Sequence, residues 1–193
     1  VPNIKITLID IDSLAHDIDE NYHSIANDYL NIVLDTNQIS DIDTFVERYD
    51  KSSINSPLNI DFVYREEKEL IYQNIKDSKM TIISGKPGNG KTKIALEVLK
   101  ELEQKDGYNS LCIRINGLEL YTDIKTILEN KKKYIVFIDD INNLNGLQSV
   151  VDLIITNKNK NIKILATVRD YLLNNVTKKL ISYIEPKVFI LNK

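Results

Sequence analysis

KMTIISGKPGNGKT occupies Lys79–Thr92. Its first half is apolar and β-branched and predicts a strand. The second half gathers three of the chain's six glycines into eight residues. Gly85, Gly90, Lys91 and Thr92 fill the spacing glycine, four residues, glycine, lysine, serine or threonine. Glycines at these places let backbone N–H groups turn inward around an anion, where a Cβ would obstruct them. The following KTKIALEVLKELEQK puts Ile94, Ala95, Val98 and Leu102 on one helical face. That helix aims its N-terminal dipole at the same anion. Strand, turn and helix together predict a nucleotide phosphate site over Gly85, Lys86, Pro87, Gly88, Asn89, Gly90, Lys91, Thr92 and Lys93. Lys91 can reach the terminal phosphates, and the Thr92 hydroxyl can hold Mg²⁺.

Outward from this unit the chain alternates regularly. SLCIRI, YIVFID, IKILATV and KVFIL read as further strands. REEKELIYQNIKD, LYTDIKTILEN, NGLQSVVDLIITNK and DYLLNNVTKKLISY read as the helices between and before them. Five apolar strands separated by helices predict an α/β fold, a five-stranded parallel sheet covered on both faces. Right-handed crossovers make it doubly wound, a three-layer P-loop NTPase arrangement.

YIVFIDD, Tyr134–Asp140, ends a buried strand in two acids. Open α/β sheets bind ligands at that edge. Asp139 is expected to hold Mg²⁺ through water, and Asp140 to orient or deprotonate the attacking water. In ILATVRD, Thr167 and Arg169 end the next strand. That strand is expected between the loop strand and the acidic strand, with Thr167 as a polar sensor and Arg169 as the charge that distinguishes tri- from diphosphate. The alternative is a helix-capping threonine with a surface arginine. FVYREEKEL, upstream of the loop, reads either as a helix start or as a segment over the base, with Val63, Tyr64 and Arg65 as contacts.

Composition sets the frame. The 193 residues leave room for one domain and an appendage. Apolar residues at 42% suit a packed core, and no run of about 20 apolar residues could span a bilayer. A net charge of −3 excludes a global field for nucleic acid. The basic stretches Lys131–Lys133 and Asn157–Lys163 read as solvated loops, with a nucleic-acid contact left open. Cys112, the single cysteine, reads as a buried small hydrophobe. The cytosol is the default compartment. The chain starts at Val1 and its one methionine is Met80, which suggests a piece of a longer protein.

The elements together resemble a STAND-type P-loop ATPase, a signal-transduction relative of AAA+ proteins. VYRE resembles that family's adenine-side motif, with Tyr64 where glycine is usual. GKPGNGKT and FIDD match its Walker A and Walker B motifs, and ATVRDY resembles its sensor motif at Ala166–Arg169. The RDY ending is similar to the novel STAND group of bacterial anti-phage systems. The resemblance covers Phe62–Lys193 and lacks the winged-helix lid. It implies ATP or ADP with Mg²⁺, slow hydrolysis, homo-oligomerisation on activation, and a linked effector domain. An AAA+ motor remodelling DNA or protein is the alternative, and a non-hydrolysing nucleotide-binding scaffold the second.

Residues 1–55 are expected to form a separate strand-and-helix segment with a linker, and 56–193 the NTPase core. IKITLIDIDSLAHDI resembles the closing strand and helix of Mrr-like nuclease domains; a plain helix pair packed on the ATPase is the other reading. SDIDTFVERY predicts a short helix with Ser40 as N-cap.

Overall fold

A computed structural model describes residues 38–52, 57–115, 120–128 and 132–191. The strand and long helix expected within residues 3–35 lie outside these. The described residues belong to one compact unit, Thr36–Lys193.

Its strands are β1 (Ile39–Ser40), β2 (Met80–Gly85), β3 (Asn109–Ile113), β4 (Tyr134–Ile138), β5 (Ile162–Arg169) and β6 (Lys187–Ile190). The helices are α1 (Ile42–Ser52), α2 (Glu67–Asp77), α3 (Lys91–Asp106), α4 (Tyr121–Ile127), α5 (Leu147–Thr156) and α6 (Leu173–Leu180). Two 3₁₀ turns, Ile141–Asn143 and Asp170–Leu172, follow β4 and β5. The sheet order is β1-β3-β4-β5-β2-β6. β2 to β6 run parallel, and β5 lies between the loop strand and the acidic strand as expected.

Alternation along the central strands sends side chains to two separate cores. Val136 and Ile138 of β4 join Ile164, Ala166 and Val168 of β5 under α4, α5 and α6. Ile135, Phe137 and Leu165 face the other way, under α1, α2 and α3. Both faces are therefore dry, which is why the strands read as unbroken apolar runs.

Among the described residues the sheet has six strands, not the expected five. The addition is β1, which pairs antiparallel with β3 in the register Ile39↔Ile113 and Ser40↔Cys112. Ser40 thus belongs to a strand, and the cap of α1 is Asp41, whose carboxylate accepts the Thr44 N–H at 2.7 Å. That bond holds the Asp41 carboxyl below its ordinary value. α1 then lays Ile42 and Phe45 into the core, with the Phe45 ring edge-on to Phe137 at 5.7 Å. The packed unit consequently begins upstream of residue 56.

Cys112 is fully buried, and burial pushes its thiol well above the ordinary range. Lys163, expected in a solvated loop, donates instead to the carbonyls of Ile75, Lys76 and Ser78 at the end of α2. Among the described residues no helix is long and apolar enough to cross a membrane.

Candidate functional site: a phosphate loop beside an acidic strand end

The loop between β2 and α3 turns on two glycines. Gly88 and Gly90 both have φ of +78°, a conformation that L side chains rarely adopt. Gly85 differs: it ends β2, and its missing Cβ makes room for the Leu191 carbonyl oxygen, which would lie 2.9 Å away. Arg65 donates to the Asn89 carbonyl at 3.1 Å, and the Asn89 amide donates to the Leu191 carbonyl at 3.3 Å. The loop is thus fixed from both the upstream and the downstream segment.

Lys91 is 7% exposed, and its Nζ donates to the carbonyls of Gly85 at 3.0 Å and Lys86 at 2.9 Å. It makes no salt bridge among the described residues, and burial lowers its pKa from the ordinary value. The Asp140 and Asp139 carboxylates oppose that lowering without hydrogen-bonding the ammonium, and a phosphate in the loop would give it a directly bonded anion.

The acids stand opposite. Thr92 Oγ1 donates to Asp139 Oδ1 at 2.9 Å, and Thr167 Oγ1 donates to the same oxygen at 2.6 Å. A hydroxyl beside a carboxylate is the oxygen donor pair that suits Mg²⁺, so Thr92 and Asp139 fit the ion. Burial raises the Asp139 pKa against the lowering effect of both hydroxyls. Asp140 takes a left-handed conformation, φ 47°, and is the one non-glycine residue to do so among those described. Its backbone N–H donates to Thr167 Oγ1 at 2.8 Å. Its carboxylate pairs with the Arg169 guanidinium at 3.4 Å, while Arg169 also donates to the Tyr171 hydroxyl at 3.3 Å.

One cavity of about 490 Å³ joins these parts. Pro87, Gly88, Gly90, Lys91, Thr92, Lys93, Asp139, Asp140 and Arg169 line it, and Val63 and Arg65 reach it from upstream. The remaining expected contacts stand elsewhere. Tyr64 is 71% exposed and not on the wall. Gly85 is buried in the strand, Lys86 is exposed, and Asn89 engages backbone. Thr167 is fully buried behind Asp139, so it stands apart from the cavity in which a sensor was expected. Sequence reasoning missed Tyr49, Leu58 and Ile60 on the wall, for which no motif gives a signal. It also assigned no contact to Tyr171, although the RDY ending could have suggested one.

A parallel sheet with this loop after β2, and acids after β4 one strand further on across β5, defines a P-loop NTPase. The profile of the family described as Novel STAND NTPase 3 matches residues 62–189, and the chain belongs to that family. Solved structures with a similar fold include C. elegans PCH-2, at 21% identity and TM-score 0.46, over 65% of this chain and 41% of that one. The Pif1 helicase from Candida albicans is similar at 12% identity and TM-score 0.44, over 69% and 40%. The chain therefore spans about two-fifths of the length of these structures. No match is found among the curated proteins.

Proposed function

We propose that this chain is the nucleotide module of a switch. It binds ATP with Mg²⁺, hydrolyses it slowly, and in the ATP form promotes self-association and activates a linked effector in bacterial anti-phage defence. Membership of a STAND family supports the switch over a motor.

The observation that carries this reading is the Asp140–Arg169 pair. The carboxylate suited to orienting attacking water is held by the guanidinium suited to meeting a γ-phosphate. A triphosphate offers Arg169 a stronger bidentate partner, and Asp140 is then released to the water. A diphosphate does not, so the pair persists and the site rests. Both residues respond to a single phosphoryl group, which is what a tri- versus diphosphate switch requires.

The other side chains have distinct tasks. Lys91 neutralises the terminal phosphates, and Gly88 and Gly90 turn backbone N–H groups toward them. Thr92 and Asp139 would hold Mg²⁺, which would supply neutralisation of phosphate charge when bound. Thr167 acts as a positioning residue: it fixes the Asp139 carboxylate and, through the Asp140 N–H, the left-handed turn that aims Asp140.

Native mass spectrometry and turnover assays test the proposal together. The expected result is retained ADP or ATP, an ATP-dependent shift in assembly, and low turnover. Lys91→Ala should abolish binding, while Asp140→Asn should keep it and slow turnover by about 10²-fold or more. Absence of any ATP- or ADP-dependent thermal shift overturns the reading. Rapid turnover stimulated by DNA or protein would make the chain a motor instead.

A further inference from the structure

The cavity lined by Lys91 and Arg169 is also lined by Tyr49, Pro57, Leu58 and Ile60. These come from α1 and from the segment 57–62 that follows it. That segment is tied down on two sides. The Asp50 carboxylate accepts the N–H groups of Leu58 at 2.6 Å and Asn59 at 3.0 Å. Lys93, next to Thr92, donates its Nζ to the Leu58 carbonyl at 3.0 Å. Both backbone polar groups of Leu58 are therefore fixed, one from α1 and one from α3.

Tyr49 is braced as well. Its ring lies 6.2 Å from Phe45, one helical turn away, and Phe45 stands edge-on to Phe137 of β4. The platform is rooted in β4, the strand that leads into Asp139 and Asp140. A cavity lined by Lys91, Lys93 and Arg169, with Asp139 and Asp140 beside them, and also by aromatic and aliphatic side chains with Asp61 among them, matches a nucleoside phosphate with its cation. Its planar base has an apolar face, and its phosphates do not.

Resting on the nucleotide reading above, we propose that Tyr49, with Leu58 and Ile60, forms the base-binding wall, and that Asp50 is the residue that positions it. The exposed Tyr64 has no part in this wall. Specificity for a nucleoside over a bare polyphosphate is thus built by α1 and the segment behind it.

Calorimetric titration with ADP and, separately, with inorganic tripolyphosphate tests this. Tyr49→Ala should weaken ADP about tenfold or more and leave tripolyphosphate unchanged, and Tyr49→Phe should restore ADP. Asp50→Asn should show the same split between the two ligands. Thermal unfolding without ligand shows that each variant is folded. Wild-type ADP affinity in Tyr49→Ala overturns the proposal, and so does equal loss of both ligands. If the unaltered protein binds neither ligand, the nucleotide reading itself falls, and this inference with it.

Discussion

An ideal Cβ on Gly85 would lie 2.9 Å from the Leu191 carbonyl oxygen, a backbone atom that cannot swing aside. The same atom on Gly88 meets nothing within 4 Å, and there the obstacle is the φ of +78°. The two glycines are thus required by different forces, one by packing of the last strand and one by the left-handed turn. Gly85→Ala should destabilise the nucleotide-free protein by about 1–3 kcal/mol through overpacking. Gly88→Ala should cost about 1 kcal/mol, the price of the left-handed conformation alone. Urea midpoints in the absence of ligand distinguish the two when asparagine, which tolerates the left-handed turn, is compared with alanine. Gly88→Asn should be more stable than Gly88→Ala, and Gly85→Asn should not be more stable than Gly85→Ala. The same ranking at both positions would refute the separation. The sequence pattern treats both glycines alike, because the partner of Gly85 is more than a hundred residues away and no spacing rule reaches it. Asp140 is a parallel case. The acidic pair is legible from YIVFIDD, yet its left-handed turn depends on the Thr167 hydroxyl of another strand.

Between elements, the contact of α2 with α3 is fastened by Glu101, which is nearly buried and takes Lys68 from α2 and Lys105 from its own helix. The hydrogen bond from Lys105, then that from Lys68, holds the Glu101 carboxyl below its ordinary value. A carboxyl lowered by folding stabilises the native state fully above the unfolded value, about 4.3. That contribution is lost as the pH falls from there through the lowered native value. Glu101→Gln should therefore lower the urea midpoint at pH 7 and flatten the acid limb of the pH–stability curve below about 4.3. An unchanged acid limb would show that the pair contributes nothing to acid stability. The long elements were readable because their signals are local. β2, β4 and β5 are continuous apolar runs, and α3 shows its face over sixteen residues. β1 has two residues and no period, so its pairing with β3 is written only in the tertiary structure. With β1 unseen, α1 looked like part of a separate segment, and Tyr49 could not be linked to the nucleotide site.

Across the whole molecule the phosphate loop is a junction. Arg65 joins the segment before it, Asn89 and the Leu191 carbonyl join the last strand, and Lys93 joins the segment 57–62. Each of these bonds ends on backbone, so tightening the loop also tightens chain far from the phosphates. A bound nucleotide would stabilise the loop and whatever is fastened to it, by about 2.7 kcal/mol when ligand is at a hundredfold excess over Kd. Hydrogen exchange should therefore slow at the amides of Leu58, Asn59 and Leu191 on adding ADP, in addition to those of the loop. The Leu191 amide donates to Ser84 O at 2.7 Å, which makes it a direct reporter of the β2–β6 edge. Lys93→Met should remove the slowing at Leu58 and Asn59 and leave that at Leu191, because the two connections leave the loop from different residues. Slowing confined to the loop amides would mean that binding is felt locally and that the junction transmits nothing.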